Sequence, residues 1–150
     1  MSRYIALLRG VNVSGSAMRM VALKESFAAL GFDGVQTYLQ SGNVVFDTKQ
    51  ADPLELAKRI EGRIKEDFGM EIPVLVLTAD EIASIARNNP LFPESGGTES
   101  HFHCTFLFGP VTDKAFSALK LPAAEGERAV LVKDAVLLHC PHGYGRTKLN

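Results

Sequence analysis

The sequence has no excess of charge of either sign, which argues against a function that depends on bulk electrostatics. It contains 16 Lys and Arg and 17 Asp and Glu, for a formal net charge of -1. Residues 1–78 carry equal numbers of basic and acidic side chains, and residues 79–150 carry one more acidic than basic. Neither half is therefore a basic nucleic-acid module, although a local basic patch is compatible with these totals.

Cysteines and long apolar runs are also scarce. The only cysteines are Cys104 and Cys140, whose apolar neighbours predict buried, reduced thiols of a cytoplasmic protein. No apolar stretch approaches the ~20 residues that a membrane-spanning helix needs, and the N-terminal MSRYIALLRG lacks a signal-peptide cleavage pattern. We therefore expect a cytoplasmic protein without a membrane segment.

Hydrophobic periodicity predicts the element order β-α-β-β-α-β within residues 1–78. The predicted strands are 4–8, 35–39, 44–46 and 73–77. In the second of them, the less polar positions Val35, Thr37 and Leu39 alternate with Gln36, Tyr38 and Gln40, as in a half-buried strand. The predicted helices carry two apolar stripes: Met20, Leu23, Phe27 and Leu30, and then Leu56, Ile60, Ile64 and Phe68. This order is typical of the ferredoxin-like unit, an antiparallel sheet with both helices on one face.

Residues 79–150 follow a similar order that stops early. We predict a helix after the capping box at 78–81, a polar loop at 93–100, a strand at 102–108, a short helix that Pro122 ends, and a hairpin of strands 130–132 and 135–139. This β-α-β-β order corresponds to three-quarters of a second ferredoxin-like unit. The prediction is an α+β protein of two such units, 1–78 and 79–150, with the second truncated at the C-terminus after Asn150.

Two polar stretches are expected to meet in the first unit, because its first and third strands are antiparallel neighbours. One follows the first strand and the other precedes the third. Their residues, which we call the polar edge, are Arg9, Gly10, Asn12, Gln40, Ser41, Gly42 and Asn43. Gly15 and Ser16 would add free backbone N–H groups at the start of the first helix. These groups suit a phosphate, a carboxylate or a polar small molecule, although a hairpin turn with a surface arginine explains the same residues.

A glycine-rich loop near the C-terminus is a second candidate anion site. Its residues are Gly143, Tyr144, Gly145, Arg146 and Lys148. Glycines permit a close backbone approach, and an arginine and a lysine attract anions. The spacing is not that of a P-loop. The alternative is a surface turn from which Thr147 caps a following helix.

The sequence contains no recognised metal or catalytic motif. His101, His103, His139 and His142 are expected to converge at one end of the second sheet, but their spacing matches no known zinc site. Ser41 lies outside a nucleophile elbow, and neither cysteine has an obvious basic partner. We predict no metal and no cofactor, and whether the protein is an enzyme stays open.

The stretches LLRGVNVSG, TYLQSGNVVF and PHGYGRTKLN together resemble an uncharacterised bacterial family, domain of unknown function 1697. The resemblance implies two ferredoxin-like halves and a set of motif positions, but no reaction. It places the polar edge at the first-half motif and Gly143 to Asn150 at the second. Members usually continue past the position of Asn150, and Ser14 and Ser16 stand where a glycine and a basic or polar residue are common.

The function predicted from these residues is binding of a small anionic or phosphate-bearing ligand at the polar edge. Arg9 would form a bidentate pair with the ligand and Ser41 would donate its hydroxyl, while Asn12, Gln40 and Asn43 would orient the ligand. One alternative is an RNA or single-stranded nucleic-acid binding module, in which Tyr4 and Phe46 would stack on bases. Another is a protein interaction module. The oligomeric state is not predicted.

Overall fold

A computed structural model describes residues 1–13, 17–91, 99–119 and 125–149 of the chain. Ser14, Gly15, Ser16, most of the polar loop at 93–100, Pro122 and Asn150 lie outside the described residues. The chain divides into two compact units, Met1–Ile85 and Ala86–Asn150. The boundary between these units, after Ile85, lies within the helix Ala79–Arg87. The boundary at residue 78 that the sequence predicted therefore stays a prediction.

The first unit contains one four-stranded antiparallel sheet. Its elements are β1 (Ser2–Leu8), α1 (Met20–Ala29), β2 (Asp33–Tyr38), β3 (Asn43–Thr48), α2 (Pro53–Phe68) and β4 (Val74–Thr78), followed by α3 (Ala79–Arg87). The strand order is β2-β3-β1-β4, with β1 antiparallel to both β3 and β4. The end of β1 therefore lies beside the start of β3, at the centre of the sheet.

Helix α2 begins and ends at residues whose chemistry stops a helix from extending. The Asp52 side chain accepts a hydrogen bond from Leu54 N at 2.9 Å, and Pro53 occupies the first helical position. At the other end Gly69 has φ 66°, the left-handed conformation that glycine adopts at little cost. Leu56, Ile60 and Ile64 then recur on one face and are buried.

The core of the first unit lies between its sheet and the two helices α1 and α2. Phe46 of β3 is at its centre, stacked on Tyr4 at 5.9 Å and on Phe32 at 4.5 Å between ring centroids, with Phe27 of α1 edge-on at 5.5 Å. Three other members of the buried cluster, Val11, Met18 and Ile72, lie outside the helices and strands. The rest come from alternate strand positions and from the inner faces of the helices: Ala6, Leu8, Val35, Val44, Val74, Val76, Leu23, Leu56, Ile60 and Ile64. We call the face of the sheet opposite α1 and α2 its outer face.

The second unit contains a smaller antiparallel sheet. Its strands are β5 (Phe102–Phe106), β6 (Arg128–Val132) and β7 (Ala135–His139), in the order β5-β7-β6, and helix α4 (Asp113–Ser117) lies between β5 and β6 along the chain. Thr112 caps α4 by accepting a hydrogen bond from Ala115 N at 3.1 Å. The described residues thus form a mixed α+β protein with two antiparallel sheets and four α-helices.

The two cysteines differ in burial. Cys140 is fully buried as predicted, but Cys104 is exposed, because it lies on the edge strand β5 of the second sheet. Within the described ranges, no helix is both long and apolar enough to cross a membrane.

Ile60 and Leu54 lie on the same helix but differ in burial, and they test the packing of the first core. Ile60 is 0% exposed and Leu54 is 73% exposed. Ile60→Ala removes buried methyl groups and leaves a cavity, so it is expected to lower the free energy of unfolding by about 2–5 kcal/mol. The control Leu54→Ala is expected to change it by less than about 0.5 kcal/mol. Urea denaturation measures both values, and equal losses would contradict this core.

Candidate functional site

The pairing of β1 with β3 brings the two halves of the polar edge together. Leu7 and Asn43 are cross-strand partners, and Leu8 N donates to Gly42 O at 3.0 Å. One residue further on, Arg9 N donates to Pro73 O at 3.0 Å, which extends the pairing of β1 with the β4 side of the sheet. The loop after β1 and the turn before β3 are therefore held side by side.

Asn12 joins these two segments through its side chain. Its Nδ2 donates to Gln40 O at 2.5 Å, and its Oδ1 accepts a hydrogen bond from Met18 N at 2.7 Å. The residue has φ 57°, a left-handed conformation that asparagine tolerates better than most residues. One carboxamide thus connects the loop after β1, the turn before β3 and the approach to α1.

Gly42 and Asn43 complete the frame of the turn. Gly42 is buried with φ 77°, and a Cβ at this position would lie 2.9 Å from Leu8 Cβ and 3.3 Å from Val11 Cβ. Asn43 Nδ2 donates to Ser41 Oγ at 2.7 Å and to Tyr38 O at 3.5 Å. Only glycine allows the turn to approach β1 this closely, and Asn43 fixes the direction of the Ser41 hydroxyl group.

Three exposed side chains of the polar edge keep groups that are free to bind. Within the described residues, the guanidinium of Arg9 and the carboxamide of Gln40 have no hydrogen bond or ion pair. Ser41 Oγ accepts from Asn43, which leaves its hydroxyl hydrogen available to donate. The edge therefore presents a cation, an amide and a hydroxyl donor on a hydrogen-bonded frame.

The same edge displays exposed apolar side chains, and the sequence pattern predicted the exposure of only one of them. Tyr38 and Leu39 are each 66% exposed, and Val13 is 56% exposed. Leu39 was expected on the strand, but β2 ends at Tyr38 and Leu39 lies in the turn with φ 59°. The strand alternation therefore ends one residue earlier than predicted, at Tyr38. This alternation predicted the exposure of Tyr38 but not that of Leu39.

The aromatic rings required by the nucleic-acid alternative are in the core. Tyr4 is 3% exposed and Phe46 is 0% exposed, and both face α1 and α2. The outer face carries Ile5, Leu7 and Val45 at the corresponding central positions, all half-buried. Stacking of bases on Tyr4 and Phe46 is therefore incompatible with this fold.

The glycine-rich loop of the second unit forms a short, tightly bonded turn. Gly143 has φ 88° and its N–H donates to Cys140 O at 3.0 Å, and Tyr144–Arg146 form one turn of 3-10 helix. Arg146 and Lys148 are exposed, but the backbone N–H of Lys148 donates to a carboxylate oxygen of Glu127 at 3.4 Å. This carboxylate beside the loop repels an incoming anion.

Thr147 does not cap a helix, because its hydroxyl accepts from Leu149 N at 3.1 Å and residues 147–149 are not helical.

The histidines of the second unit lie on neighbouring strand ends without forming a ligand set. Phe102 pairs with His139, whose ring it stacks on at 4.6 Å, while the ring of His103 packs against Tyr144 at 4.6 Å. Burial, and then the charge of His101, lower the pKa of His103. Among the residues that the structure describes, no three His, Cys, Asp or Glu side chains are placed to hold a metal ion.

Two open grooves of the first unit are lined by residues outside the polar edge, although Pro73 of one groove accepts the hydrogen bond from Arg9 N. One has a volume of about 440 Å³ and lies beside α2, lined in part by Lys58, Gly62 and Pro73. The other, of about 450 Å³, lies between α1 and α2. Its floor includes Asp67, whose pKa is lowered by hydrogen bonds from Ser26 and then from Arg63. Neither groove includes a residue of the polar edge.

Comparison with known proteins identifies a family and a fold. The model of a family described as "Protein of unknown function (DUF1697)" matches residues 1–137. A conserved bacterial protein from Streptococcus pneumoniae is 20% identical, with a TM-score of 0.76 over 98% of this chain and 82% of its own. At that identity the likeness shows a shared fold alone. A search of curated proteins found no match.

Gly10 and Gly42 provide a matched pair for testing the close approach of the turn. Both have positive φ, 76° and 77°, but a Cβ at Gly10 would meet no atom of the described residues within 4 Å. Gly10→Ala is expected to cost about 1–2 kcal/mol of stability through backbone strain alone. Gly42→Ala adds a clash with Leu8 and Val11, worth about 1–3 kcal/mol more. Urea denaturation distinguishes the two, and equal losses would argue against this packing.

Cys104 is expected to be a poor nucleophile although it lies on the surface. Partial burial of its thiol raises the pKa to about 11 from 9.0. At pH 8 the thiolate fraction is then about 100-fold lower than for an unperturbed thiol, so alkylation by iodoacetamide should be slower, by roughly tenfold once the greater nucleophilicity of the more basic thiolate is included. The rate should rise with pH well beyond 9. Cys104→Ser assigns the rate, and a plateau near pH 9 would exclude this environment.

Proposed function

We propose that this chain, which belongs to the DUF1697 family of proteins of unknown function, binds a small anionic or phosphate-bearing ligand at the polar edge. The observation that carries the proposal is the exposed guanidinium of Arg9, which has no partner among the described residues and lies next to a turn with free donors. An unpaired arginine beside a hydrogen-bonded turn can make a bidentate contact with phosphate or carboxylate, since no existing ion pair has to be broken on binding.

The residues of the polar edge divide into those that contact the ligand and those that hold the frame. Arg9 supplies two parallel donors, Ser41 donates its hydroxyl, and Gln40 donates its amide. Asn12 and Asn43 already use their carboxamides within the protein, so their contribution is to position the other groups. This assignment narrows the sequence prediction, in which both asparagines contacted the ligand.

Gly10 and Gly42 contribute through the backbone. Gly10 has φ 76°, and no atom of the described part of the chain lies within 4 Å of the position that a Cβ would take, so a ligand can approach the chain closely at this point. Gly42 is buried beneath Val11 and closes the turn.

We further propose that the chain consists of two ferredoxin-like units, 1–78 and 79–150, in a cytoplasmic protein. The strand order β2-β3-β1-β4, with α1 and α2 on one face, supports the first unit. The order β5-β7-β6 supports three strands of the second. Reduced cysteines support the location.

The other functional interpretations have less support. The burial of Tyr4 and Phe46 removes the stacking surface on which the nucleic-acid interpretation depended. The loop at Gly143–Lys148 stays a proposal for a second anion contact, weakened by the carboxylate of Glu127 beside it. No reaction is proposed.

A thermal-shift screen of inorganic phosphate, nucleotides, sugar phosphates and small carboxylates tests the proposed site. A bound anion is expected to raise the midpoint of wild type by about one degree or more. Arg9→Ala should lose this shift, and Arg9→Lys should keep only part of it, because lysine cannot make the bidentate contact.

Lys49→Ala is the matched control, since it removes another exposed cation at the opposite end of β3. It should respond as wild type does. An equal shift in Arg9→Ala, or no stabilising anion for wild type, would disprove binding at the polar edge.

A further inference from the structure

An exposed aromatic ring lies in the same row of the first sheet as the polar edge. Leu7 pairs with Asn43, and Asn43 pairs with Tyr38, so the three side chains share the outer face. Tyr38 is 66% exposed in this row. Strands are spaced by about 4.8 Å, so Tyr38 lies roughly 10 Å across the sheet from Leu7. Arg9 follows Leu7 by two residues.

The backbone next to this ring is held in an unfavourable conformation without any gain in burial. Leu39 has φ 59°, a region in which a leucine costs about 1–2 kcal/mol, and yet its side chain is 66% exposed. Val13, which follows Asn12 along the chain, is also exposed. Leu39 next to Tyr38 and Val13 next to Asn12 are therefore apolar side chains that gain little stability from burial.

We infer, building on the proposed function, that the ligand of the polar edge is a small aromatic anion. Its charged group pairs with Arg9, and its ring packs on Tyr38 across the outer face. The ligand needs an anionic group because the Arg9 guanidinium, which is unpaired among the described residues, attracts negative charge. Leu7 and Tyr38 lie two strand spacings apart, at roughly 10 Å. The long arginine side chain and an aryl phosphate or aryl carboxylate can together span this distance. A small molecule is therefore long enough to contact both the Arg9 guanidinium and the Tyr38 ring.

The experiment compares inorganic phosphate, phenyl phosphate and phenol as probes by NMR titration of the 15N-labelled protein. Phenyl phosphate should bind wild type about tenfold more tightly than inorganic phosphate, since ring stacking on one aromatic side chain is worth about one power of ten. Tyr38→Ala should reduce this ratio to near one, while Tyr38→Phe should keep it. Phenol alone should bind weakly, because it carries no charge for Arg9.

Phe108→Ala is the control, because Phe108 is another exposed aromatic residue, at 54%, and belongs to the second unit outside both candidate anion sites. It should leave the ratio unchanged, and dispersed spectra confirm that each variant is folded. Equal affinities for phosphate and phenyl phosphate would overturn the inference and leave the proposed function standing. No binding of either anion would overturn both. Phenol binding as tightly as phenyl phosphate would overturn the inference, because the charge would then be unused.

Discussion

The carboxamide of Asn12 is the interaction on which the candidate site depends. It bonds to Gln40 O and accepts from Met18 N, so segments that are far apart in the chain become one surface. Gly42 makes the arrangement tight, since a side chain there would collide with Leu8. The exposed guanidinium of Arg9 and the hydroxyl hydrogen of Ser41 stay unused among the described residues beside this frame, so an anion could pair with them without first breaking an ion pair.

The two faces of the first sheet have separate roles. The inner face packs Tyr4 and Phe46 against Phe32 and against Phe27 of α1, with ring contacts among all four. The outer face keeps its aromatic side chain, Tyr38, at the end that carries the polar edge. The core and the proposed binding surface thus lie on opposite sides of the same strands, and we expect changes on one side to leave the other undisturbed.

Much of the fold could be predicted from the sequence because its signals are local. The cap of α2 at Asp52 and its stop at Gly69 are residue choices that specify a helix, while a short apolar run predicts β1 and alternation predicts β2. The meeting of the polar stretches followed from strand order. The role of Asn12 did not, because its partner Gln40 is 28 residues away and depends on the turn geometry. Leu39 was misplaced for the same reason: its left-handed turn overrides the strand period.

The most direct test of the account is a crystal structure of the protein grown with tungstate, a heavy analogue of phosphate whose anomalous signal locates it without ambiguity. The account predicts one strong peak at the polar edge, within hydrogen-bonding distance of the Arg9 guanidinium and the Ser41 hydroxyl. A peak only at Arg146 and Lys148, or no peak at the polar edge at saturating tungstate, would contradict it.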